Sequence, residues 1–358
     1  MRDLRETQSK LETVETYLRE FVAPNAEKID RDPQALEFTL HGMGDRNLLA
    51  LKVPSNLGGG GWNEIEYRRL QILMARYSGA LTFLQTQHQS AASQLAKSDN
   101  LALREEYLPQ MGNGKKLVGV GFSHLRRRGK PMLTALEVTE GYILKGNIPW
   151  ITGFGFFDDF IVGATLPDGR ELYGILPLKN TADEKLSFSP PMSLIAMSAT
   201  NTVSGKSNNY LLKQDRIVKI NFPGAIHLSS RQNILNHGFY ALGCAYAGID
   251  ILRALGERKQ LSFLQESARH LLQEVTKCDR QITLALSDKE TLYEDKLKLR
   301  SQTINLAAKC SHAAVMAASG MANAIDSPAG RVYREALLFS VSGQTIDVME
   351  ASIAEKFN

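Results

Sequence analysis

The sequence predicts an α+β protein of three parts: an N-terminal helical domain, a central antiparallel β-barrel or sandwich, and a C-terminal four-helix-type bundle. Three observations carry this expectation. Apolar residues recur with helical period toward both ends of the chain, the middle breaks into short runs rich in β-branched and aromatic residues, and turn signals punctuate that middle. The texture changes place the parts at 1–115, 116–228 and 229–358. With 358 residues, 43% hydrophobic and 22% charged, the chain can bury a sizeable core, which excludes a disordered or collagen-like protein.

In the first part Leu11, Val14, Leu18, Phe21 and Val22, then Ile65, Leu70, Ile72 and Leu73, keep the period of four to six helices. Pro54 and the run Gly58 to Gly61 interrupt them. That run lacks the Lys and Ser/Thr of a phosphate loop, so it reads as a tight interhelical connection.

From Lys116 to Pro223 short strands are expected at Leu117 to Phe122, Phe160 to Ala164 and Leu172 to Leu176, with a turn at Pro167, Asp168 and Gly169. Beyond Ser229 the helical period returns in long segments, Asn233 to Gly256, Leu261 to Leu286 and Leu292 to Ala324. Their many alanines allow close interaxial packing, as in a bundle.

Lys and Arg total 42 against 38 Asp and Glu, a formal charge of +4. That excess is too small for a nucleic-acid binder, so a small-molecule substrate is expected. Cys244, Cys278 and Cys310 are too far apart for a zinc spacing and odd in number for a disulfide framework, and no metal site is expected. The polar start, Met1 to Lys10, has no apolar secretory region, and the apolar run Phe239 to Ile249 is far shorter than the roughly 20 residues that span a bilayer. A cytoplasmic protein with no membrane partner is expected.

Several motifs reduce to ordinary readings. Gly205, Lys206 and Ser207 lack the earlier glycine of a Walker loop, and Gly121, Phe122, Ser123, His124 and Leu125 do not make a nucleophile elbow. Asp158 and Asp159 point to opposite faces of a strand, so they read as a solvated strand entry. The run Arg126, Arg127, Arg128, Gly129, Lys130 is either a solvated hairpin tip or a phosphate cradle.

The most informative segment runs from Leu144 to Gly153, reading Leu-Lys-Gly-Asn-Ile-Pro-Trp-Ile-Thr-Gly. It resembles the Leu-x-Gly-x-Lys-x-Trp-Ile-Thr-Asn phrase of the acyl-CoA dehydrogenase superfamily. Val53, Pro54 and Gly58 to Gly60, then Tyr107, Leu108, Pro109 and Gly114, then Arg331, Tyr333, Arg334, Glu335 and Ala336, are similar to further phrases of that superfamily in the same order.

The resemblance implies a flavin, FAD in the common form, with FMN or a reduced flavin as alternatives. Trp150, Ile151 and Thr152 match the positions that pack an indole beside the isoalloxazine and direct a donor at N5. Phe122 and Ser123 match the contact with its pyrimidine edge, although His124 and Leu125 stand where the family has Glu and Pro. Arg258 stands for the arginine that reaches a neighbouring subunit's FAD, and Thr345 for the Thr of a late Gly-Thr phrase. A homodimer or homotetramer, and a CoA thioester substrate, are implied in the same way.

The family's catalytic Glu falls on Gly343, or on Ser342 if one gap is allowed, and the alternative position on the first long bundle helix falls near Asn233. None is an acid. Three functions follow: a flavin-dependent oxidoreductase acting on an acyl thioester or related substrate, a reduced-flavin-dependent monooxygenase in which His88 and His237 would protonate a peroxide, and a catalytically degenerate binding or assembly paralogue.

Overall fold

The computed structural model describes residues 11–355. Six helices precede the sheet among these residues. α1 (residues 11–17) runs on through a π turn, Leu18–Val22, and is followed by α2 (Ala26–Arg31), α3 (Pro33–Gly44), α4 (Glu64–Tyr77), α5 (Gly79–Ala96) and α6 (Leu101–Met111). Their starts follow from local chemistry. Asp32 caps α3 and Pro33 occupies its first turn, Asn63 and Glu66 form a capping box on α4, and Ser78 caps α5. The glycine run does form an interhelical connection. Gly59 packs so tightly that a Cβ there would sit 2.2 Å from the Val53 carbonyl oxygen.

Eight strands follow: β1 (Val118–Gly121), β2 (Leu133–Val138), β3 (Gly141–Ile151), β4 (Asp159–Thr165), β5 (Glu171–Pro177), β6 (Leu186–Phe188), β7 (Val203–Lys213) and β8 (Ile217–Asn221). They form one sheet in the order β6-β7-β3-β2-β4-β5-β8, with β1 beside β4. The expected all-antiparallel arrangement is corrected to a mixed sheet. β1 runs parallel to β4, and β2 meets β4 in a single parallel pairing at Thr134 and Thr165. The β2–β3 hairpin separates β1 from β4 in sequence, so the chain re-enters beside β1 in the same direction instead of turning directly back.

Asp158 is solvent-exposed, as expected of a strand entry, and Asp159 is half-buried, but both are also tied into the fold. Asp158 accepts from the Leu117 amide at 3.0 Å, and Asp159 accepts from the Tyr107 hydroxyl at 2.9 Å and pairs with Lys116 at 2.9 Å. They fasten the start of β4 to α6 and to the approach to β1.

The last part contains α7 (Ala225–Gln232), α8 (Gly238–Lys259), α9 (Ser262–Ser287), α10 (Tyr293–Ala318), α11 (Pro328–Val341) and α12 (Ile346–Ala354). α8 is central and packs against α4, α9, α10 and α11. Small residues set its approach: a Cβ on Gly243 would lie 2.4 Å from the Ile72 carbonyl oxygen on α4, and one on Gly248 would lie 2.7 Å from the Cys310 backbone on α10. α8 starts five residues later than the periodicity predicts, because Asn233 to Asn236 form turns that close α7. α10 stops at Ala318, where Ser319 takes a positive φ of 58°. No described helix is long and apolar enough to cross a membrane, and no group of three or more His, Cys, Asp or Glu among the described residues could hold a metal ion.

One hydrophobic cluster runs through all of this. It joins Leu18, Leu40 and Leu84 of the first helices to Leu144, Phe160 and Leu176 of the sheet, and to Tyr240, Val332 and Phe339 of α8 and α11.

Candidate functional site

Where α5, the sheet and the end of α11 meet, they leave a cleft of about 540 Å³ with mostly apolar walls. That size and character suit a small organic ligand. α5 contributes Phe83, Thr86, Gln87 and Ser90, which share one helical face. β1 and the turn after it contribute Val120, Phe122, Ser123 and Arg126, β3 contributes Trp150, and Thr152 follows directly after the strand. Leu194, Ile195 and Ala196 form one rim, and Leu337, Leu338 and Val341 of α11 form the opposite one.

Trp150 reaches the cleft because of a bulge. Between the pairs Ile148–Gly205 and Ile151–Val203, β3 has two residues where β7 has one. Proline has no amide proton for the ladder, so Pro149 is tolerated there, and the bulge turns the indole, 47% exposed, toward the opening. Two residues on, Thr152 is almost fully buried. Its Oγ1 lies 3.0 Å from that of Thr202, which lies 3.3 Å from that of Thr200, whose hydroxyl donates to the Met197 carbonyl at 2.8 Å. This row of hydroxyls fixes the wall. Ile151, between them, faces the opposite way and is fully buried, its side chain directed at Gly121 and Gly205.

The Leu194 to Ala196 rim is held from far away in sequence. Met197 and Asn201 adopt left-handed backbone, φ 55° and 47°, and the Met197 amide donates to Asp30 of α2 at 2.8 Å. Gly153 and Phe154 complete the fastening by donating to the carbonyls of Thr200 and Asn201 at 2.9 and 3.1 Å.

At the inner end, His237, just before α8, meets Ser342, just after α11. The His237 Nδ1 and Ser342 Oγ are 2.8 Å apart, and the ring packs edge-on to Tyr240 at 5.3 Å. Gly343 lies against the same imidazole: a Cβ there would be 2.5 Å from its Cδ2 and 2.6 Å from its Nε2. With φ at 62° as well, position 343 excludes a side chain while the ring is present. Burial pushes the His237 pKa well below 6.5, and the charges of Arg300, Arg126 and Arg68 push it the same way, so the imidazole is neutral. When Nδ1–H donates to Ser342, Nε2 is left as an acceptor.

The structure thus brings Phe122, Ser123, Trp150, Thr152, His237, Ser342 and Gly343 to one cleft. Four expected residues lie elsewhere, each for a physical reason. Ile151 is on the other face of β3. His88 is fully buried on the far side of α5, its Nε2 bonded to the Met111 carbonyl at 3.0 Å and its Nδ1 accepting from the Val118 amide at 3.1 Å. Desolvation lowers its pKa to about 4. Arg258, whose expected contact is with a neighbouring subunit's flavin and not with this cleft, borders a separate hollow of about 440 Å³ with Ala318 and Met321. Thr345 accepts from the Val348 amide at 3.3 Å and caps α12. Asn233 is exposed and bonds back to Ser229 at 2.8 Å, so it does not supply the cleft either.

Sequence reasoning missed the rim at Leu194 to Ala196, the Thr200–Thr202 support and the α5 face. The i, i+4, i+7 spacing of Phe83, Gln87 and Ser90 was a readable signal for the last. For Arg126 the sequence offered two uses and could not choose between them.

An arrangement with a half-exposed indole, a buried hydroxyl beside it and an apolar slot suits a flat heteroaromatic ring, and a flavin fits that description. Trp150, Thr152, Phe122 and Ser123 are the residues that would hold it.

A family model described as the acyl-CoA dehydrogenase N-terminal domain matches residues 5–115. The mitochondrial isovaleryl-CoA dehydrogenase of Pongo abelii is 24% identical over 398 residues, covering 99% of this chain and 89% of that protein. The very long-chain specific acyl-CoA dehydrogenase of Macaca fascicularis is 27% identical over 263 residues, covering 68% of this chain and 39% of that protein. Among solved structures, glutaryl-coenzyme A dehydrogenase in its glutaryl-CoA complex superposes with a TM-score of 0.82 at 17% identity, covering 98% of this chain and 94% of that one. Butyryl-CoA dehydrogenase from Megasphaera elsdenii gives 0.80 at 14% identity, over 98% of each chain.

Proposed function

We propose that this chain, which is similar to acyl-CoA dehydrogenases in its N-terminal family match, its relatives and its fold, is a flavin-dependent oxidoreductase of that superfamily acting on an acyl thioester or a related substrate. The observation that carries this reading is the convergence of Trp150, Thr152 and Ser123 on one cleft with the His237–Ser342 pair at its inner end. FAD is the flavin we assign, in a cytoplasmic homodimer or homotetramer.

A bound flavin supplies the two-electron acceptor. The chain supplies the rest. Trp150 and the Thr152 wall orient the ring, and the apolar rims exclude water from it. Among the described residues no carboxylate borders the cleft, so the proton that leaves the substrate needs another acceptor. Nε2 of His237, neutral and oriented through Nδ1 by Ser342, takes that role.

The test is an anaerobic titration of FAD-loaded protein with acyl-CoA thioesters of several chain lengths. The expected result is loss of the oxidised flavin absorbance with at least one of them. His237→Ala should keep flavin uptake and slow reduction by roughly 10²- to 10⁴-fold. Unchanged absorbance with every thioester would overturn the reading.

The acid-free lining also favours a second reading, a reduced-flavin-dependent monooxygenase, which needs no carboxylate base. O2 consumption coupled to substrate oxidation, when reduced flavin is supplied, separates it from the first.

A further inference from the structure

We infer that this cleft selects an anionic amphiphile, with the carboxylate or similar oxyacid head of an organic acid held by Arg126 and its aliphatic chain laid against the apolar rims. The inference rests on reading the cleft as the reaction site, and of the two classes proposed there it selects the related substrate, one that carries its own anionic head, over a simple acyl thioester.

Charge is the first ground. Among the described residues that border the cleft there is one guanidinium and not one Asp or Glu. Arg126 is half-buried. Its Nε donates to Ser230 Oγ at 2.9 Å, and the Ser230 hydroxyl is itself turned to the Ile226 carbonyl at 2.8 Å. Its ionisable neighbours are the phenol of Tyr173 and the imidazole of His237, and no carboxylate among the described residues pairs with it. The two terminal nitrogens of its fork are therefore available. A guanidinium fork matches a carboxylate with two parallel hydrogen bonds.

A second cation lies under the Ser342 end of the cleft. Arg300 is 1% exposed and also lacks an acid partner among the described residues. Its Nη2 donates to the Ser342 carbonyl at 2.9 Å, directly beneath the inner end of the cleft, and its Nη1 has no hydrogen-bond partner. Buried cations are ordinarily paired, because desolvation penalises a lone charge. Arg68 shows the ordinary arrangement: it is equally buried but pairs with Glu64 at 2.5 Å and Gln71 at 2.6 Å. Uncompensated positive charge thus stands in the cleft wall at Arg126 and beneath Ser342 at Arg300, in a weakly screened setting, and a bound anion completes it.

Shape supplies the second ground. Phe83, Leu194, Ile195, Leu337 and Val341 make the remaining wall apolar. A wholly hydrated anion such as inorganic phosphate leaves that wall unused, whereas a medium-length alkyl chain covers it.

The experiment titrates the full-length protein with octanoate and with octanamide, alike in chain length but differing in charge, with and without saturating FAD. Calorimetry or tryptophan fluorescence gives the dissociation constants, Trp150 being at the cleft and Trp62 buried. Octanoate is expected to bind at least about tenfold more tightly. Arg126→Gln should erase that preference while leaving octanamide binding and the thermal midpoint unchanged, and Arg126→Lys should retain part of it. Equal or undetectable binding of the two ligands, or a preference that survives Arg126→Gln, overturns the inference. So does competition between octanoate and FAD, which would give the anion site to the cofactor's phosphates. Flavin uptake is read separately by absorbance. Octanoate selectivity without flavin uptake supports this inference and counts against the oxidoreductase reading alone.

Discussion

Position 343 shows how one residue constrains the chemistry of another. The space a side chain would fill is already occupied by the His237 ring, so Gly343→Ala adds both a clash and an unfavourable φ. The expected loss is about 1–3 kcal/mol of stability, measured by denaturant unfolding, together with displacement of the imidazole. The buried histidines give a pH signature. His88 and His124 are held neutral down to about 4 by desolvation, and His237 is lowered in the same direction. The unfolded chain takes up these protons near pH 6.5 and the folded chain only well below it. Their contribution to stability is therefore complete above pH 6.5 and is lost as the pH falls toward 4, by up to about 1.4 kcal/mol per pH unit for each histidine. Unfolding free energies between pH 7.5 and about 4.5 should show that slope, and His88→Gln should flatten it by roughly a third. At this scale the cleft residues that belong to a recognisable phrase, Trp150 and Thr152 above all, were legible in the sequence. His88 was not, because only the direction of a helical face separates it from Gln87, and the sequence alone does not say which face of α5 borders a cavity.

Among the elements, α2, α5, α11 and the rim loop are joined by one buried ionic network. Arg331 pairs with Glu335 at 2.7 Å and with Glu27 at 3.2 Å, Arg334 pairs with Asp30 at 3.0 Å, and Glu335 also accepts from the Gly79 amide at 3.1 Å. Burial raises the Glu335 pKa, and the opposing pull of Arg331 keeps the carboxylate in place. Glu335→Leu leaves Arg331 half-paired and the Gly79 amide without its acceptor. It should cost about 3–5 kcal/mol in urea unfolding, far more than an exposed pair such as Lys309–Glu274. Helix and strand existence was readable at this scale because period and turn residues are local. The parallel placement of β1 and β2 against β4 was not, since pairing direction depends on where a strand re-enters the sheet. The close approach of α8 to its neighbours was expected from alanines, yet Gly243 and Gly248 make its tightest contacts.

The molecule as a whole has a core that crosses every change of element type, from Leu18 through Leu144 to Phe339. Thermal unfolding is accordingly expected to give one cooperative calorimetric transition, and two resolved transitions would contradict a shared core. Because the cleft is bordered by α5, the sheet and α11 together, a ligand that fills it binds only the assembled form. Octanoate at about a hundred times its dissociation constant should therefore add about 2.7 kcal/mol to the stability of the whole chain, seen as an upward shift of that single transition. The three-part order was visible in the sequence. The shared core was not, because contacts between distant segments leave no periodic trace in any one of them.

The fit of His237 against Gly343 has a further consequence for how such a sequence can change. A single substitution that introduces an acid at 343 meets the imidazole before it can act, and trimming His237 first removes the proton acceptor we assign. Passage between a histidine-based and a carboxylate-based site therefore runs through an intermediate that is either strained or inactive. The pair behaves as a ratchet, and descendants of this chain are expected to vary at 237 and 343 together.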